Sequence, residues 1–167
     1  MIMCTSETED QQKAEMGPSC SSVTLGGQSV RIVLCGSMSA LPTMEQIQDE
    51  LTTDGIDALV PQPDSHYAAH PTAAAAAELK RKASYDHIQK IKDSKTRGIL
   101  VVNIDREGAR DYIGPNSFAE IAIAFAEGRE IYLFQGMPNI YREELMAWGA
   151  RCLHGDLNAL KTRLDAP

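Results

Sequence analysis

The sequence predicts a doubly wound α/β domain: a parallel sheet of about five strands with helices on both faces. Two observations carry that expectation. Short apolar runs alternate in order with longer amphipathic stretches, the pattern of strands joined by crossover helices. At 167 residues and 43% hydrophobic content, the chain can bury one sizeable core and is too short for two comfortable domains. In such a fold ligands bind outside the carboxyl ends of the strands, where strand order reverses. The ends of the first, third and fourth strands should therefore gather around the site.

Residues 1 to 29 are rich in Ser, Thr, Gln, Glu and Gly, lack apolar periodicity and read as a disordered acidic tail, dispensable for stability. The domain spans 30 to 167. Val30 to Cys35 is the first strand, and Met44, Ile47 and Leu51 share one face of the helix that Asp54-Gly55 ends. A second strand covers about Asp57 to Val60. Pro61-Gln62-Pro63-Asp64-Ser65-His66 fits neither helix nor inner strand and is expected to be a loop over the site. The next helix runs from about Thr72 to Asp93, its Ala73 to Ala77 run giving high propensity. Leu79, Ala83, His87 and Ile91 lie on one face of it, while Lys80, Arg81 and Lys82 read as a solvated face. Gly98 to Asn103 is the third strand, Phe118 to Ala126 a helix, Glu130 to Phe134 the fourth strand and Tyr141 to Trp148 another helix. Arg151 to His154 makes a fifth strand and Leu157 to Leu164 a closing helix.

Bulk chemistry narrows the partners. The net charge is -7, without the broad basic footprint that a phosphate backbone requires, so polymeric nucleic acid is excluded. A single nucleotide held at helix N-termini is not. The four cysteines show no CxxC pair and read as free thiols, with Cys35 and Cys152 in strand-like runs. No cluster has metal spacing along the chain, and neither a metal nor an organic cofactor is expected. The start lacks an apolar h-region and no stretch approaches a membrane span, which reads as a cytoplasmic protein with no membrane partner.

The candidate chemistry sits at the carboxyl edge of the sheet. Gly114-Pro115-Asn116-Ser117-Phe118-Ala119-Glu120 joins the third strand to a helix and sets a lone carboxylate, Glu120, on its first turn. Two readings of Glu120 stay open here: a catalytic group, or one half of a Ser117-x-x-Glu120 capping box that only satisfies loose backbone N–H groups. The first strand ends in Cys35-Gly36-Ser37-Met38-Ser39, whose glycine admits close approach and whose serines offer hydroxyls; a ligand-free tight turn would look the same. His87 faces inward, as a core histidine or as an acid or base. His66 and His70 lie in the covering loop. Tyr141 and Trp148 offer either a stacking surface for a base or plain packing.

These motifs, taken in order, resemble the nucleoside 2-deoxyribosyltransferase superfamily over about residues 31 to 160. The resemblance rests on Cys35-Gly36-Ser37 after a strand, on Gly114 to Glu120 opening a helix that continues to Glu127-Gly128, and on Leu145-Met146-Ala147-Trp148-Gly149. The CGS start is also similar to 2-deoxynucleoside 5-phosphate N-hydrolases within that superfamily, and the GSMS and N-[ST]-F-x-E pattern to uncharacterised microbial members. The resemblance implies a compact flavodoxin-like domain, a homo-oligomer, that cleaves an N-glycosidic bond in a small nucleoside or nucleotide. It makes Glu120 the nucleophile that forms a glycosyl-enzyme intermediate. His87 would orient or protonate the base, standing where the transferases carry an aspartate. Cys35, Gly36, Ser37, Met38, Ser39, Asp111, Gly114, Asn116 and Ser117 would line the sugar or phosphate site, Asp111 as an approximate match to a family aspartate. Two rivals remain: a nucleotide 5-monophosphate phosphoribohydrolase, whose PGGxGTxxE motif is echoed by Gly-Pro-Asn-Ser-x-x-Glu, and a non-catalytic nucleotide-binding sensor.

Overall fold

The computed structural model describes residues 24–25, 28–62, 72–106 and 108–165. At the end of the stretch expected as tail, β1 (Thr24–Leu25) and β2 (Gln28–Ser29) pair antiparallel as a small ribbon. The domain then runs β3 (Arg31–Gly36), α1 (Leu41–Thr53), β4 (Asp57–Leu59), α2 (Ala73–Lys92), β5 (Thr96–Val102) and α3 (Pro115–Ala126). It closes with β6 (Glu130–Leu133), α4 (Arg142–Ala147), β7 (Arg151–Cys152) and α5 (Leu157–Asp165). The five strands from β3 onward form one sheet in the order β4-β3-β5-β6-β7, every pair parallel. That is the flavodoxin-like order, with its switch point between β3 and β5.

Strand periodicity divides the core in two. Ile32, Leu34, Leu100, Val102 and Tyr132 point to the face covered by α1 and α5, where Met44, Leu51, Leu160 and Leu164 meet them. Val33, Cys35, Ile99, Val101 and Leu133 point to the other face, under Ile91 of α2, Ile121 and Ala124 of α3 and Leu145 of α4. The parity matters for the site: Cys35 is delivered to the face that α2 and α3 share. Among the described residues no helix is long and apolar enough to cross a membrane.

Gly98 allows β5 to lie close to β6. A Cβ built there would sit 2.7 Å from the backbone oxygen of Glu130, which the paired strand cannot move away. Gly98→Ala is expected to lower stability by about 1 to 3 kcal/mol, read as a shift of the urea midpoint at constant slope. An unchanged midpoint would show that the two strands separate freely.

One expectation about α3 is corrected. The helix begins a turn earlier than the Ser117-x-x-Glu120 pattern implies: Gly114 is the N-cap, Pro115 occupies the first turn, and Phe118 N–H donates to the Gly114 carbonyl at 2.9 Å. Proline suits that first turn because its preset φ is helical and its missing N–H has no helical partner to lose. Ser117 and Glu120 therefore stand inside the helix. No side chain caps it, and the capping-box reading falls.

Candidate functional site

Three elements converge at the carboxyl end of β3. On α3, Ser117, Glu120, Ile121 and Ala124 follow helical spacing toward the sheet, so the carboxylate shares a stripe with buried apolar groups. On α2, His87 and Ile91 are the buried pair, one turn apart. From β3, Cys35 rises between them with no exposed surface. His87 Nε2 lies 3.7 Å from Cys35 Sγ and 3.8 Å from Glu120 Oε1. One ligating atom from each of the three residues falls within 4.8 Å of the other two. Separations of 52 positions from Cys35 to His87 and 33 from His87 to Glu120 hide this cluster from any reading of spacing along the chain.

Burial sets the electrostatics. Glu120 is pushed up to about 7, chiefly because burial penalises its charge, with the Cys35 thiol hydrogen bond pulling partly the other way. His87 is pushed down to about 4, first by burial and then by the Lys90 charge, against the backbone of Leu34. Its imidazole is thus neutral at neutral pH. Its Nδ1 is buried without a hydrogen-bond partner among the described residues. Burial and the adjoining carboxylate raise the Cys35 thiol well above its usual range, so it rests protonated.

A cavity of about 310 Å³ opens over Glu120 and His87, at the lower end of the roughly 300 to 1,000 Å³ common for small-molecule sites. Gly36, Ser37 and Met38 close one side, Gly114 to Ser117 another, and Lys80 and Ser84 of α2 a third. Gly36, Ser37, Met38, Gly114, Asn116, Ser117, His87 and Glu120 are thereby brought together around one cavity. Cys35 lies behind the cavity wall. Ser39 is exposed and reaches the site only through Ser37, the two Oγ atoms 2.9 Å apart.

Asp111 does not join them. Its carboxylate Oδ1 accepts from Gly136 N–H at 2.8 Å, and it lines a separate cavity of about 850 Å³ with Arg110, Arg142 and His154. The loop after β5 turns it away from Glu120, which length alone could not reveal. Tyr141 and Trp148 are likewise used elsewhere. Phe118 stacks on Tyr141 at 3.9 Å between centroids, and Trp148 on Phe125 at 5.2 Å, locking α4 to α3. Pro61 and Gln62 border the cavity, and the rest of the expected covering loop lies outside the described residues. His66 and His70 lie outside the described residues.

Arg106 and Tyr112 escaped the sequence reading. Arg106 Nη1 donates to Ser37 Oγ at 3.1 Å and its guanidinium stands 5.4 Å from the centre of the Tyr112 ring, so a cation and a phenol border the cavity. Asn103, fully buried at the end of β5, donates Nδ2–H to the Gly136 carbonyl at 2.9 Å and accepts from Gln135 N–H at the same distance. Asn103 lines neither cavity; it ties the end of β5 to the segment after β6. Nothing local marks Arg106.

Fold and site together define a flavodoxin-like α/β protein with a cluster of buried Cys and His and part-buried Glu at a ligand-sized cavity by the switch point. Comparisons with protein-family models, curated proteins and solved structures find no match.

Proposed function

We propose that the protein cleaves or transfers the N-glycosidic bond of a small nucleoside or nucleotide, with Glu120 as nucleophile. The observation that carries the reading is Glu120 itself, the one carboxylate lining the cavity among the described residues, held on a helix beside the switch point. A carboxylate oxygen attacks the anomeric carbon as the bond to the base nitrogen breaks, the electron pair leaving with the base, which takes up a proton from solvent. Water or a second base then opens the glycosyl ester. Near pH 7 a substantial fraction of Glu120 is ionised, and the positive charge that grows on the sugar ring favours that form further.

His87 takes a positioning role in this scheme. A neutral, buried imidazole 3.8 Å from Oε1 packs beside the carboxylate, outside hydrogen-bond distance, and brings no proton to the leaving base at neutral pH. Ser37 with Arg106, and the N-terminus of α3, supply hydroxyl, cationic and N–H groups suited to a sugar or phosphate.

The test is a panel of ribo- and deoxyribonucleosides and their 5-phosphates, incubated with the protein and resolved by chromatography. Release of free base from at least one is the expected result. Ligands that bind with no base released, with or without a second free base as acceptor, would replace this reading with a nucleotide sensor.

A further inference from the structure

We propose that Cys35, His87 and Glu120 form a three-ligand site for Zn²⁺. The donor set is the first reason. Thiolate, imidazole and carboxylate together suit zinc and are wrong for magnesium or calcium, which take oxygen ligands.

Geometry is the second reason. Zinc bonds of about 2.3 Å to sulfur and about 2.0 to 2.2 Å to nitrogen and oxygen, at tetrahedral angles, place the donors roughly 3.4 to 3.6 Å apart. Here Sγ to Nε2 is 3.7 Å and Nε2 to Oε1 is 3.8 Å, with all three atoms inside 4.8 Å. A contraction of a few tenths of an ångström in the first two separations, with Sγ and the Glu120 oxygen drawn in to the same range, would meet the ion. Three different elements, β3, α2 and α3, supply the ligands from a packed core, so the site is held in advance of binding.

Access is the third. Cys35 closes the back of the site, whereas His87 and Glu120 line the cavity. Three protein ligands leave the fourth tetrahedral position facing that cavity, open to water or to a ligand. Binding transfers the Cys35 proton to solvent, and any proton on Glu120 with it. Because the ion and a sugar carbon would claim the same carboxylate, they exclude each other. The proposal does not depend on glycosyl chemistry.

The experiment uses the full chain, stripped with chelator, desalted and kept in reductant, without substrate. Co²⁺ titration is expected to end at one equivalent with a near-ultraviolet thiolate-to-cobalt band, and Zn²⁺ should displace the cobalt stoichiometrically. Cys35→Ser should abolish the band; Glu120→Gln and His87→Gln should each weaken binding at least about tenfold. A Cys4, Cys20 and Cys152 triple serine variant should behave as wild type. Circular dichroism identifies any variant that fails to fold, and the triple variant, which leaves all three ligands in place, then decides the matter. No band at one equivalent, a band that survives Cys35→Ser, or a band lost in the triple variant would overturn the site. Failure to release base from nucleosides would leave each of these readouts unchanged.

Discussion

Glu120→Gln is expected to give a folded protein that still binds its ligand but releases base roughly 10³-fold or more slowly than wild type. The substitution separates chemistry from structure cleanly. Gly114, not Ser117 and Glu120, begins α3, so no helix cap is lost with the charge. Glutamine has nearly the volume of glutamate and keeps a carbonyl oxygen for the Cys35 thiol, so the packing between α2, α3 and β3 survives. What it cannot do is attack the anomeric carbon as an anion. Turnover is measured by base release on whichever compound the panel selects, and binding by calorimetry on the same compound. Loss of turnover with binding retained fits a nucleophile. A glutamine variant that keeps most of its turnover would remove Glu120 from that role, and one that loses binding as well would make it a recognition group.

The sheet was legible in the sequence because its strands are short apolar runs between amphipathic helices, and those periods survive without tertiary knowledge. Met44, Ile47 and Leu51 were read as one helical face and are all buried in α1. Thr72 and Asp93 were read as the ends of a helix and flank α2, with Thr72 Oγ1 accepting from Ala75 N–H at 3.2 Å. The start of α3 misled because Ser-x-x-Glu satisfies a capping pattern while Gly-Pro two residues before it satisfies a stronger one. Proline fixed the helix start, and Glu120 moved from the first turn to the second.

The site was half legible. Glu120 and Gly36 to Met38 sit at strand and helix ends, which a doubly wound fold assigns to one edge. Cys35 was counted among ligand contacts for its place in the CGS run, yet strand parity puts its side chain behind the wall, against His87. Asp111 failed for a related reason. A longer loop after β5 can fold to either side, and hydrogen bonds from Gly136 N–H to Asp111 Oδ1 and from Asp111 N–H to Asp105 Oδ1 chose the side away from Glu120. Arg106 and Tyr112 reach the cavity from that same loop, where no periodicity exists to read.

The neighbouring Glu120 and His87 also predict a pH dependence that only the variants expose. Glu120 rises on folding from 4.5 to about 7, so its contribution to stability is present below pH 4.5 and is lost as pH rises to about 7. His87 falls from 6.5 to about 4, so its contribution is present above pH 6.5 and is lost as pH falls to about 4. Between pH 4.5 and 6.5 each state carries one proton on this pair, on the histidine when unfolded and on the glutamate when folded. The two slopes cancel in the wild type. The groups surrounding the pair, Cys35 of β3, Lys80 and Lys90 of α2, and Arg106 and Tyr112 of the loop after β5, are the same in wild type and variant, so a difference between them isolates the titration. Relative to wild type, Glu120→Gln is expected to gain on the order of 2 to 3 kcal/mol as pH is raised from 4.5 to 7, measured by urea unfolding in the presence of chelator. His87→Gln should move the other way, losing a similar amount relative to wild type between pH 4 and 6.5. Parallel pH profiles for all three proteins would mean that Glu120 titrates as an ordinary solvated carboxylate, and the buried, proton-poised cluster at the floor of the cavity would have to be abandoned.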